Sequence, residues 1–96
     1  MNYQSIEEHL VAEFGFDQYQ VSDRAAHHRE EVLNSDVCGC FMCQENFPPS
    51  EIHRWTDNDQ TACCPRCGMG NVVVGSASGM PVTNNEFLSL VGAHWS

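Results

Sequence analysis

Two short cysteine hooks constrain this chain more than any other feature. The first lies in Cys38-Gly39-Cys40-Phe41-Met42-Cys43, the second in Cys64-Pro65-Arg66-Cys67-Gly68, with residues 44–63 between them. Two Cys-x-x-Cys pairs at that separation can put four thiolates at the corners of one tetrahedron, which is the arrangement Zn²⁺ favours. Pro65 presets a turn, and glycine at 68 lets backbone amides bend towards sulfur without a clashing Cβ. The expected ligands are Cys40, Cys43, Cys64 and Cys67. Four protein ligands close a site and leave no position for water, so the expected zinc is structural.

Six cysteines in 96 residues leave two to place. Cys38 and Cys40 have one residue between them, too tight for the usual knuckle. Neighbours on an extended chain point to opposite faces, so only one of Cys63 and Cys64 faces the metal easily. Cys63 then reads as a small buried apolar residue. Cys38 reads the same way, with a reactive or alternate-ligand role as the other reading. Disulfides and an iron–sulfur centre are the competing uses of such cysteines. No basic start runs into an apolar stretch with a small-residue cleavage site, so a cytoplasmic, reducing compartment is expected and metal is favoured over disulfide. No run approaches the roughly 20 apolar residues of a membrane span.

Charge narrows the partners. There is no lysine, and four arginines face thirteen carboxylates, a formal −9. Four thiolates around a divalent ion add a net −2, giving −11. Phosphate backbones are bound mainly through Lys and Arg, so nucleic acid is an unfavourable partner. A protein partner, basic in character, suits the surface better. Eight of the acids and two of the arginines fall in the first 36 residues, so the acidity is concentrated there.

The pattern along the chain predicts a small α+β domain spanning 1–96: a zinc-ribbon-like β core with two N-terminal helices and one C-terminal helix. A first helix is expected over 5–14, with Ser5 and Glu8 as a capping box, Ile6, Leu10 and Phe14 on one face, and Gly15 as its stop. Phe16 can fold back over its end. A second helix is expected over about 22–35, with Ser22 as N-cap. Residues 37–75 form the ribbon: first hook, a Phe47-Pro48-Pro49-Ser50 loop, a strand or helical turn over 51–56, second hook, and a strand at Val72-Val73-Val74. Gly75–Gly79 reads as flexible. Thr83 and Glu86 form a second capping box for a last helix over 83–95, whose apolar face is Phe87, Leu88, Val91 and Trp95.

Catalytic signatures are absent. There is no phosphate-binding Gly-rich loop with Lys, no Gly-x-Ser-x-Gly and no His-Glu-x-x-His. His28-Arg29-Glu30 matches half of a zinc-deaminase signature, but Pro65 lies inside the second hook instead of before it. His9, His27, His28, His53 and His94 read as surface or packing residues. His27 and His28 are expected mid-helix, and His53 near enough to the metal loop to hydrogen-bond there. No catalytic or cofactor-binding residue is assigned beyond the four metal ligands.

The run Cys38-Gly39-Cys40-Phe41-x-Cys43, followed by Phe47-Pro48-Pro49-Ser50-Glu51-Ile52-x-x-Trp55-x-Asp57, by Thr61-Ala62-x-Cys64-Pro65-x-Cys67-Gly68, by Ser78-Gly79-x-Pro81-x-Thr83, and by Phe87-Leu88 and Trp95, resembles a family of small bacterial cytoplasmic proteins with a CGCFxC…CPxCG zinc-ribbon-like core. The resemblance covers roughly residues 28–95. It implies a zinc-bound single domain and no particular activity. Leucine is usual in that family where Cys63 stands, which fits a buried role. Met69-Gly70-Asn71 departs from an Ile-Asp-Ser-Val run, and Trp95-Ser96 replaces a closing Trp-Phe.

These readings lead to a non-enzymatic zinc-binding protein that acts through protein–protein contact. A pointed form is a phage- or mobile-element-encoded inhibitor of a basic, nucleic-acid-handling complex. The alternatives are an enzyme or redox protein using Cys38, Cys63 or a histidine, and a nucleic-acid-binding ribbon with Arg54 and Arg66 as a local basic edge.

Overall fold

The N-terminal third shows how tertiary contacts override local periodicity. In the computed structural model, which describes residues 3–95, α1 spans Tyr3–Phe14, α2 Gln18–Arg24 and α3 Arg29–Leu33. There are thus three N-terminal helices where two were expected. The helix expected over 22–35 starts earlier and breaks in the middle. Asp17, and not Ser22, is its N-cap: the Asp17 carboxylate accepts from Gln20 N–H, and the Gln20 side chain accepts from Asp17 N–H. The break at 25–28 is stabilised from outside the helix. His27 takes a left-handed φ of +50°, its N–H donates to Thr61 Oγ1, and His28 N–H donates to Gln60 O. Those two bonds to a distant hairpin replace the helical bonds the break gives up.

α1 begins two residues before Ser5, so Ser5 lies inside the helix and is not its cap. Gly15 ends it as expected, at φ +79° with its N–H donating to Val11 O. Ile6 and Leu10 are buried, and Phe14 and Phe16 both meet the Phe87 ring edge-on, at centroid distances of 5.3 and 6.2 Å. Phe87 belongs to α4, Asn85–Trp95, so the last helix closes the core against the first.

The hooks are carried by short strands: β1 Cys38–Cys40, β2 Asn46–Phe47, β3 Trp55–Thr56, β4 Thr61–Ala62 and β5 Val73–Gly75. β1 is the centre of an antiparallel sheet of order β2-β1-β5, with Cys38 opposite Phe47 and Gly75, and Cys40 opposite Val73. β3 and β4 form a separate hairpin, with Trp55 opposite Ala62. Its tip is a run of three left-handed residues, Asp57, Asn58 and Asp59 (φ +52°, +58° and +66°). Asp and Asn tolerate that region better than other non-glycine residues. A 3-10 turn at Pro49–Glu51 joins β2 to β3.

Three further expectations change at the C-terminal end. Residues 76–78 form a hydrogen-bonded 3-10 turn instead of a flexible tract: Ser76 N–H donates to Val37 O, and Ala77 N–H to Ser35 Oγ. α4 starts at Asn85, capped by Asn84 and not by Thr83, because Asn84 Oδ1 accepts from Glu86 N–H and Phe87 N–H. Phe87, Leu88 and Val91 are buried, but Trp95 is 48% exposed and stands outside the core. The expected comparison at Ser96 falls outside the described residues. Four helices with small antiparallel sheets make an α+β fold, and among the described residues no helix is long and apolar enough to cross a membrane.

Candidate metal centre

Each hook is a turn held by backbone hydrogen bonds on its outer side. Cys40 is the last residue of β1, and Cys40 N–H donates to Glu45 O while Gln44 N–H donates to Cys40 O, closing the first knuckle. In the second, Cys64 N–H donates to Met69 O and Gly68 N–H to Cys64 O, with Gly68 at φ +83°. Both turns therefore sit between antiparallel segments, β1/β2 in one case and the isolated Cys63–Gly70 bridge in the other.

The inner side of each knuckle faces sulfur. Cys43 N–H donates to Cys40 Sγ at 3.4 Å, and Arg66 and Cys67 N–H donate to Cys64 Sγ at 3.3 and 3.4 Å. Such donors favour the thiolate, the form that binds metal. Burial pushes the Cys64 thiol up, but these amides and the neighbouring Cys43 and Cys40 thiols outweigh it and bring Cys64 below its ordinary range. Cys40 and Cys43 are pushed up, mainly by burial. A cation among the four sulfurs favours every thiolate at once.

The two knuckles bring Cys40, Cys43, Cys64 and Cys67 together. Their sulfurs all lie within 4.8 Å of one another, with Cys40–Cys67 and Cys43–Cys64 each at 3.7 Å. All six cysteines are free, and 3.7 Å is far beyond the roughly 2.05 Å of a disulfide. The arrangement is compatible with one metal ion. Cys40 and Cys64 are buried and Cys67 is exposed, so the cluster opens to solvent on one side.

Cys38 and Cys63 stay outside the cluster. Cys38 is fully buried in β1, and burial raises its thiol to about 11. Cys63, in an isolated bridge with Gly70, is buried, with its N–H donating to Arg54 O and its sulfur near Gly70. The close approach of α4 helps to place the first knuckle. A Cβ on Gly92 would stand 2.1 Å from Phe41 O, so only glycine lets the helix lie this near the hook.

The histidines have other places. His28 is not mid-helix but in the α2–α3 break, 5% exposed, with Nδ1 2.6 Å from Arg24 O and Nε2 accepting from Ala62 N–H at 3.1 Å. That pairing fixes the proton on Nδ1. Burial lowers the pKa of His28, despite the opposing Arg24 carbonyl and Glu31. His53 is exposed and its Nδ1 meets Glu51 O at 3.2 Å, a local contact and not one to the metal loop. Sequence reasoning missed the bridging role of His28. The one available signal was its position beside the helix break, which local periodicity concealed. It also missed a groove of about 290 Å³ beside the first knuckle, where Met42, Met69 and Trp95 meet Phe41 and Val72.

No family model, curated protein or solved structure matches the chain.

Proposed function

We propose that this chain is a non-enzymatic zinc protein that acts by protein–protein contact, with Zn²⁺ as a structural staple in a ribbon-like core over residues 37–75. The spacing of the four sulfurs carries the reading. Tetrahedral Zn²⁺ with Zn–S bonds of about 2.3 Å has sulfur–sulfur edges of about 3.8 Å, against 3.7 Å in both close pairs. Cysteine occupies all four corners, so no position remains for a reacting water. The remaining thiols suit packing better than chemistry, since Cys38 is buried and raised to about 11 and Cys63 is 3% exposed.

Charge and surface support a protein partner of basic character, reached from a reducing compartment such as the cytoplasm. Arg66 lies 3.0 Å from Glu51, and Arg24 2.9 Å from Glu31. Arg29 stacks on Trp55 at 4.5 Å and donates to Asp59 O. A basic edge built from Arg54 and Arg66 is therefore half neutralised by Glu51, which weighs against nucleic acid. Met69 and Trp95, both nearly half exposed, offer apolar contact area beside the hooks. An inhibitor of a basic nucleic-acid-handling complex is one role such a surface suits.

The test is affinity capture with zinc-loaded chain, followed by salt titration of the purified pair and a low-salt gel shift with DNA and RNA. A captured basic protein whose affinity falls steeply with salt is the expected result. Binding indifferent to salt, or a nucleic-acid complex, contradicts the reading.

A further inference from the structure

A second group of donors lies on the opposite element pairing, away from the cysteines in sequence. His9 and Glu13 are one turn apart on α1 and share a face. Glu86, in the first turn of α4, reaches the same point from the other helix. His9 Nε2 is 3.1 Å from Glu86 Oε1 and 3.8 Å from Glu13 Oε2, and the three donor atoms all lie within 4.8 Å of one another. We propose that His9, Glu13 and Glu86 form a second metal site, for an exchangeable divalent transition ion such as Zn²⁺, that ties α1 to α4.

The geometry supports an ion at the centre of the three. Bonds of about 2.0–2.2 Å from Zn²⁺ to imidazole nitrogen and carboxylate oxygen give tetrahedral edges of roughly 3.3–3.6 Å. The observed 3.1 and 3.8 Å straddle that range. The third edge, between Glu13 and Glu86, is bounded at 4.8 Å, and rotation of the two exposed carboxylates closes it around an ion. Without a metal, an imidazole Nε2–H, neutral or charged, would donate to one of these carboxylates. A metal uses them with a neutral imidazole, and it balances both carboxylates at once. The donor set also differs in kind from an acidic patch, because the imidazole nitrogen makes it borderline and selects transition ions over Ca²⁺ or Mg²⁺.

The site is open. The side chains of His9, Glu13 and Glu86 are 38%, 52% and 52% exposed, so an ion arrives from solvent and keeps water on its remaining positions. It is therefore weaker than the four-cysteine centre and fills after it.

Equilibrium dialysis of the full chain against micromolar ZnCl₂, with metal counted per chain, tests the proposal. The wild-type chain takes up two equivalents. His9→Ala and the isosteric Glu86→Gln each take up one. That remaining equivalent, in the cysteine centre, also reports that each variant is folded. A wild-type chain that stops at one equivalent, kept in both variants, overturns the proposal, and so does a second equivalent that survives either substitution. A single wild-type equivalent that disappears in His9→Ala and Glu86→Gln would count against the staple reading instead, so the two claims fail separately.

Discussion

Replacing His28 with alanine should cost this domain a large share of its stability, and the cost should depend on pH. The imidazole joins the carbonyl of Arg24 to the N–H of fully buried Ala62, and so fastens the helix break to β4. Removing it strands both groups. Each unpaired buried group costs about 1–3 kcal/mol, and the lost ring adds a cavity. A total of about 3–5 kcal/mol follows, against the roughly 5–15 kcal/mol typical of a whole domain. In thermal unfolding that is a fall of more than about 12 °C for a chain of this size. The pH dependence comes from the fixed tautomer. Protonation would turn Nε2 into a second donor aimed at the Ala62 N–H. The unfolded chain takes up that proton near the ordinary value of 6.5, and the folded chain only below it. The contribution of His28 is therefore complete above 6.5 and falls as pH drops from there towards the folded value, by at most about 1.4 kcal/mol per pH unit. His28→Ala lacks that slope, so its deficit relative to wild type shrinks in acid. Urea unfolding of both metal-loaded proteins at pH about 7.5 and about 5.5 reads the difference, in which acid effects common to the two proteins cancel. A deficit under about 1 kcal/mol at the higher pH, or one equal at both, would refute the bridging argument.

Three other outcomes follow from named contacts. Cys64→Ser should lose the equivalent of metal held by the cysteines and unfold the hook region, since such centres supply on the order of 10 kcal/mol; Cys63→Ala should keep that metal and cost about 1 kcal/mol, as metal analysis and circular dichroism of both variants will report. Gly92→Ala gains about 1 kcal/mol of helix propensity, yet its Cβ would stand 2.1 Å from Phe41 O. The backbone has to move, so denaturant unfolding should show a net loss of about 1–3 kcal/mol. Asn84→Ala should lower stability by about 1 kcal/mol while Thr83→Ala stays within about 0.5 kcal/mol, and a reversed order in denaturant unfolding would put the helix start back at Thr83.

The cysteine cluster was legible because its spacing is a covalent property of the chain. Two residues between cysteines set each knuckle, and Pro65 and Gly68 mark the second turn, so the choice of Cys40, Cys43, Cys64 and Cys67 needed no tertiary information. Cys63 could be set aside for a similar reason, through the alternation of an extended segment. The helix ends were less legible. Several residues near each start carry a capping side chain: Ser22 and Asp17, Thr83 and Asn84. Which one caps depends on where the chain arrives from, which is a tertiary matter. The break at 25–28 was hidden altogether, because its stabilising partners, Gln60, Thr61 and Ala62, lie more than 30 residues away in sequence. The exposure of Trp95 has the same origin. Its helical phase matches the buried face, but that face ends before the last turn.

The central claim is that four cysteines hold one zinc ion and that this ion holds the core. X-ray absorption at the zinc edge, on protein carrying a single equivalent of metal, addresses it most directly. The account predicts four sulfur neighbours at about 2.3 Å and no nitrogen or oxygen neighbour. Nitrogen or oxygen in the coordination shell, or a purified chain that holds no metal and whose mass shows two disulfides, would contradict it.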